Sequence, residues 1–431
     1  MFDVQKPLVA SAVQAFARGL ASPDRGLDDA SRIDLIRELE TLKCAAEAAQ
    51  AVLSAAFDAS QRAAQASQGV PAARQGRGVA AQIALARRES PHRGQQHLGL
   101  AKVLTTELPH TMAAFRAGRV TEWRATLVAR ETACLSREDR MTVDAEIAGN
   151  AQRFEAMGDG ELVSEARTIA YRLDPESVVR RRSRAENDRR VSLRPAPDVM
   201  SQLSALLPVK DGVAVYAVLS READRLRAAG DHRGRGQIMA DTLVRRVLST
   251  APATDTRPAV MINLVVSDRV LLGGGDDPAY VEGYGPIPAD LARQLAGTTR
   301  AWVRRLYATP ETGRLVAMDS TSRLMPAQLA RMIRLRDQRC RTRWCDAPVR
   351  HSDHVTAVAE GGPTNEPNGQ GLCEACNHAK QASGWRARPS PGARHAVETT
   401  TPTGHTYTSM APALVRTRFI ESGPGLWTLV A

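Results

Sequence analysis

Aromatic residues are scarce in this 431-residue chain: phenylalanine, tryptophan and tyrosine together make up 4% of it. That argues against a sandwich built on tyrosine and tryptophan, and the abundance of alanine and arginine favours packed helices. No stretch approaches about 18 uninterrupted apolar residues, so neither a membrane span nor a membrane partner is expected. The opening MFDVQKPLVASAVQAF lacks a basic segment followed by an apolar core, and a cytoplasmic protein is the expectation. Cysteine is rare too. Of six, Cys44 and Cys134 stand alone in helical stretches and read as buried thiols, while the other four fall in two pairs. A disulfide framework is therefore not expected, and metal ligation in a reducing compartment is. Acidic residues number 47 against 58 basic ones, giving a formal net charge of +11 and a pI near 9.8. Such an excess points first to polyanionic partners, with an arginine-rich soluble protein as the plain alternative. Gly273-Gly274-Gly275 is followed by no lysine-serine pair, so it reads as a turn rather than a phosphate loop. There is no internal repeat.

Helical periodicity dominates the first part of the chain. A long helix is predicted over 29–66, where Ile33, Ile36, Leu39, Leu42, Ala46, Ala49 and Leu53 recur at helical spacing. Further helices are predicted over 79–86, 98–104, 109–117, 137–148, 159–173, 197–207, 213–229 and 235–248, with Thr121 as the N-cap of another. Val191-Leu193, Ala259-Val266 and Arg269-Leu272 read as strands, 302–307 with 314–317 as a hairpin, and a helix is expected to start near Pro286. The arginine run at Arg180, Arg181, Arg182, Arg184, Arg189 and Arg190 is balanced by Glu176, Glu186 and Asp188. It reads equally as a phosphate-contacting surface or a salt-bridged helix face and is not assigned as a site. Leu324–Arg336 is a basic helix leading into the cysteines, and the pieces at 394–399, 405–409 and 426–430 read as a peripheral hairpin or a weakly ordered tail.

The chemistry concentrates between Cys340 and Lys380. Cys340-x4-Cys345 and Cys373-x2-Cys376 are two short-range pairs far enough apart to wrap four thiolates around one structural zinc. Between and after them stand Asp353-His354, a Gly361-Gly362-Pro363 turn, Asn368, Leu372, Asn377, His378 and Lys380. This pattern, DH, then Asn four residues before Leu, then C-x2-C-N-x2-K, resembles the HNH nuclease motif in its zinc-stapled form over about 340–386. ELPHTMAAFRAGRVTE from Glu107, RGQIMADTLVRRVL from Arg235 and the Gly-Pro-Ile-Pro segment at Gly285 resemble the long domain of unknown function that precedes HNH modules in many actinobacterial proteins.

Periodicity and composition give a mainly α N-terminal region (1–250), a small α+β middle segment (251–325) and a tail or hairpin (391–431). The resemblance implies a C-terminal ββα-metal module with structural zinc (326–390). It implies a metal-dependent DNA endonuclease in which His354 is the general base and Asn368 holds the loop and orients the imidazole. A catalytic divalent ion, magnesium or manganese, would be bound through Asp353 and Asn377, whose oxygens suit hard cations. Asn377 stands where many HNH proteins have histidine. His378, one step on, is the reserve ligand, but adjacent helical residues point about 100° apart and Asn377 shares its face with Lys380. Arg339, Arg341, Arg343 and Lys380 are candidate phosphate contacts without sequence preference. A non-catalytic zinc-containing nucleic-acid-binding protein is the alternative, and a helical interaction protein braced by zinc a third. Oligomeric state is left open.

Overall fold

The computed structural model describes residues 9–20, 26–176, 185–249, 264–272, 274–297, 325–413, 418–423 and 426–430, the last two stretches by backbone alone. It is mainly helical with small antiparallel sheets. Among the described residues no helix is long and apolar enough to cross a membrane. Two compact units interleave along the sequence: Met1–Ala55 with Leu100–Pro175, and Ala56–Gly99 with Glu176–Ala431. The linear reading of consecutive segments did not foresee that interleaving.

The helices of the first part are α1 (Ala10–Gly19), α2 (Asp29–Ser67), α3 (Val79–Arg87), α4 (Pro91–Thr106), α5 (Pro109–Arg116), α6 (Glu122–Glu131), α7 (Arg137–Ala148), α8 (Ala151–Ala156) and α9 (Asp159–Leu173). Local chemistry sets many of their ends. Thr121, Ser136 and Asn150 accept from the backbone N–H of Arg124, Asp139 and Arg153, capping α6, α7 and α8. The first turn of α5 has no such cap of its own. Leu108 precedes it, and the carboxylate of Asp144 on α7 instead accepts from His110 N at 2.6 Å and Thr111 N at 2.9 Å. Fully buried Asp144 thus serves the orphan donors of another helix, which fixes α5 against α7. Around this contact Leu104, Leu108, Phe115, Ile147, Phe154 and Leu162 form one apolar core, each side chain wholly withdrawn from water. At about 1.5–3 kcal/mol per large apolar side chain, burial dominates the stability of this unit.

In the second unit β1 (Arg190–Ala196) and β2 (Met200–Leu206) pair antiparallel, Arg190 opposite Leu206. The helix predicted over 197–207 is therefore a turn and a strand. Asp198 and Val199 take positive φ, reversing the chain after Pro197, and a reversed chain pairs with the strand it has just left. Helices α10 (Val209–Ala228) and α11 (Arg235–Ser249) follow as expected. Next come β3 (Leu264–Val265), α12 (Asp268–Leu272), β4 (Ala279–Val281), β5 (Gly285–Ile287) and α13 (Ala289–Gly297). The strand predicted over 269–272 is helical because the Ser267 hydroxyl accepts from Val270 N at 3.2 Å and starts a turn. The hairpin predicted over 302–307 and 314–317 lies outside the described residues, as does most of the arginine run from 180 to 184.

The last part begins with α14 (Ala327–Asp337), and β6 (His351–His354) then pairs antiparallel with β7 (Gly369–Leu372), which runs into α15 (Glu374–Lys380). Gly369 lets α14 lie against this hairpin, since a Cβ there would come within 2.5 Å of Ile333 Cδ1, while a Cβ on Gly371 would come within 2.8 Å of Val349 in the loop before β6. Where a peripheral hairpin or a weakly ordered tail was expected, β9 (Ala396–Thr400) and β10 (Thr406–Met410) do pair, and β8 (Arg386–Ser390) joins them in a three-stranded antiparallel sheet of order β10-β9-β8. A boundary at 390 falls at the end of β8, within that sheet. Beyond it β11 (Arg418–Gly423) and β12 (Leu426–Val430) pair with each other.

Candidate metal centre and active site

The four predicted cysteines converge. The sulfurs of Cys340, Cys345, Cys373 and Cys376 lie within 4.8 Å of one another, all four residues buried. Cys345 and Cys373 have their Sγ atoms 3.8 Å apart. Zinc–sulfur bonds of about 2.3 Å in a tetrahedron require sulfurs roughly 3.8 Å apart, so the Cys345–Cys373 separation matches that ion and the four-thiol set suits it in kind. Cys373 is also the N-cap of α15, and its sulfur accepts from Cys376 N. A thiolate there is favoured by the positive end of the helix, and hydrogen bonds from the neighbouring thiols, that of Cys340 foremost, pull the Cys373 thiol far down.

A buried ionic network ties this centre to its surroundings. Arg336, 3% exposed, donates to Asp337 Oδ1 at 2.8 Å, to Glu366 Oε1 at 2.9 Å and to the carbonyl of Gly369 at 2.6 Å. Asp337 in turn accepts from Gly371 N at 2.7 Å. Arg341, expected on a phosphate-contacting surface, is 4% exposed and donates to the carbonyls of His395 and Ser409 at 3.1 and 2.8 Å. That corrects its role: Arg341 joins the cysteine loop to β9 and β10, and burial lowers its pKa to about 10. Two guanidinium groups, Arg336 and Arg341, face two carboxylates, Asp337 and Glu366, so the cluster is already neutral. His395 sits beside it, donating from Nε2 to the carbonyl of Pro367 at 3.0 Å. Burial first, then the two arginines, push its pKa down to about 3. Neither this network nor the part played by Glu366 and His395 was visible in the sequence, because bonds such as Arg336 to Glu366 and Arg341 to the His395 carbonyl, 30 and 54 positions apart, leave no local pattern.

Asp353 and His354 stand at the end of β6. The His354 imidazole is buried, with Nε2 2.8 Å from the Thr364 hydroxyl. Burial pushes its pKa below the usual histidine value; the charge of Asp353 opposes that and the charge of Lys380 adds to it. Asn368, also buried, stitches the loop beside it: Oδ1 accepts from Thr356 N at 2.9 Å, and Nδ2 donates to the carbonyls of Thr356 and Pro363. Its backbone carbonyl accepts from Val355 N, directly after His354. On α15, Asn377 has a buried Oδ1 with no hydrogen-bond donor. An orphaned buried oxygen is the kind of atom a hard cation satisfies. His378 is exposed on another face of the helix. Lys380 donates from Nζ to Asp353 Oδ2 at 2.6 Å and to the carbonyl of His354. It is thus engaged within the module, not held out to solvent.

A cavity of about 420 Å³ opens beside these residues, walled by Asp353, Glu360, Lys380, Ser383, Trp385 and Arg386 among others. His354 and Asn377 do not line it. Of the remaining candidate phosphate contacts, Arg343 is exposed and lies over the Trp344 ring, and Arg339 is exposed and paired with Asp346 at 2.7 Å. Thr364, which fixes the imidazole, was missed by sequence reasoning; a threonine inside a turn-rich loop carries no signal of its own.

Comparison with known proteins gives two findings. The family described as "Domain of unknown function (DUF222)" matches residues 36–337, ending at the last residue of α14. An uncharacterized protein of Mycobacterium tuberculosis, Rv3776, is 26% identical over 375 residues, which span 77% of this chain and 69% of that protein. No solved structure matches.

Proposed function

The chain belongs to the DUF222 family, and on that premise we propose that the module beyond the matched span is a metal-dependent HNH-type endonuclease that hydrolyses DNA phosphodiester bonds. The observation that carries this reading is the ββα arrangement of β6, β7 and α15. In support, Lys380 of α15 bonds Asp353 of β6, and the same short helix carries Cys376 of the four-cysteine cluster and Asn377, whose buried oxygen has no donor. The reading takes the tautomer in which Nε2–H donates to the Thr364 hydroxyl, which leaves the lone pair on Nδ1, and the lowered pKa keeps the imidazole neutral at neutral pH. His354 then takes the proton of an attacking water. Asn368 holds the loop that positions the imidazole. Asp353 and Asn377 would hold magnesium or manganese, which when bound supplies Lewis acidity and steadies the leaving oxygen. The zinc would be structural. Exposed Arg339 and Arg343 would give affinity for the phosphate backbone.

One observation favours a second reading, a nucleic-acid-binding module that no longer cuts. Lys380 already neutralises Asp353, the residue that a catalytic ion needs. A plasmid assay with a panel of divalent ions separates the two. The endonuclease reading expects nicking or cutting with magnesium or manganese, and a loss of about 10²–10⁴-fold in His354→Ala at unchanged zinc content. DNA binding without cleavage under every ion would leave the binding module; absence of both would leave a zinc-braced interaction protein.

A further inference from the structure

The Lys380 ammonium sits among oxygens as a cation would. It bonds a carboxylate oxygen of Asp353 and the adjacent main-chain carbonyl of His354, and its side chain is only 16% exposed. Three residues earlier on the same face of α15 lies the Asn377 oxygen that nothing donates to. A carboxylate and a peptide carbonyl are hard oxygen donors of the kind magnesium or manganese takes, and the amide oxygen on the same helix face is another of that kind. They would not need a lysine among them.

From this we infer that Lys380 is an internal counter-ion that competes with the divalent ion for Asp353, so that ion binding requires the ammonium to leave. The inference rests on the reading of Asp353 and Asn377 as ligands. The physical argument is one of charge. Asp353 is about three-quarters buried, and a carboxylate at that depth is costly to leave unpaired. With Lys380 bound the pair is neutral, and a dication arriving beside an ammonium meets repulsion instead of a free carboxylate. Once Lys380 swings out, the carboxylate is exchanged from one cation to the other without ever being bare. The cavity bounded by Lys380, Gln381 and Ser383 provides space for that movement. A phosphate group entering the same cavity would draw the ammonium toward itself, so substrate and ion would bind cooperatively while either alone would bind weakly.

The experiment uses the full-length, zinc-loaded chain with Mn²⁺ alone as the probe, followed by calorimetry and by the paramagnetic signal of free Mn²⁺. Lys380→Met removes the charge and keeps the length. It is expected to bind Mn²⁺ at least about tenfold more tightly than the unmodified protein, the scale of one charge-assisted hydrogen bond. The gain should vanish in the double variant Asp353→Asn/Lys380→Met, and Lys380→Arg, which keeps the charge, should not show it. Thermal melting supplies a second readout. Lys380→Met should melt lower than the unmodified protein without Mn²⁺ and recover with it, while the unmodified protein changes little. Equal or weaker Mn²⁺ binding by Lys380→Met, with binding still lost in Asp353→Asn, would overturn the inference and leave the endonuclease reading standing. No Mn²⁺ binding by any variant would overturn both.

Discussion

The helical unit hides its largest side chains, Phe115, Phe154, Ile147 and Leu162, completely from water, whereas the module around Cys340–Lys380 has for its apolar core four cysteines and Leu372. The first is stabilised by area: many contacts, each small, none indispensable. The second is stabilised by a few directional interactions, a four-sulfur centre and a neutral cluster of two arginines and two carboxylates, each with several partners. A chain can therefore carry one part that tolerates substitution and another that fails when a single atom is removed. The second kind of stability suits a site, because directional bonds hold side chains such as Asn368 and His354 where burial alone would let them slide.

The contrast breaks most visibly through the metal. Chelation of zinc, or Cys376→Ser, is expected to remove on the order of 10 kcal/mol from the module. Limited proteolysis should then cut between 340 and 390 while the helical unit stays resistant; a resistant module after zinc loss would show that its hydrogen bonds suffice. A smaller effect is expected on the other side. Phe154→Ala should cost about 3–5 kcal/mol, read as a shifted denaturant midpoint of the helical unit, with zinc content and protease resistance of 340–390 unchanged. If zinc were lost as well, the two parts would not be held by separate means.

The two parts were also unequally legible in the sequence. Helical periodicity located most of the helical unit, and the cap at Thr121 sits where the residue type places it. Four cysteines in two pairs pointed to a metal site, and the structure brings the four together where they could hold an ion. What failed was context. Periodicity read 197–207 as helix because its apolar residues fit either pattern, and the turn at Asp198-Val199 decided the outcome. Charge counting placed Arg341 at a surface because arginine is mostly exposed; only the carbonyls of His395 and Ser409, more than fifty residues on, show why it is inside. The strands at 396–400 and 406–410 were legible, but not what they attach to. Sequence spacing reports bonds within an element far better than bonds between them.

The smallest expected effect sharpens the comparison through pH. His395 lies beside Arg336 and Arg341, with Glu366 the nearby acid, and donates from Nε2 to Pro367, so its second proton would have to sit on a buried Nδ1 that has no acceptor. Its pKa in the folded module is about 3 against an ordinary 6.5. The unfolded chain therefore binds more protons in this window, and the stabilisation is complete above about pH 6.5 and is lost progressively as pH falls toward 3. Going from pH 6.5 to 5 should cost the module about 2 kcal/mol from this histidine. Carboxylates and zinc ligands titrate in the same range, so the measurement is a difference. In His395→Gln, which can still donate to Pro367, stability against pH should be flatter by up to about 1.4 kcal/mol per unit, while hydrogen exchange of the helical unit is the same in both proteins. Equal slopes would mean that a charge on His395 is accommodated, and that the neutral arginine–carboxylate cluster is not what keeps this part of the molecule closed.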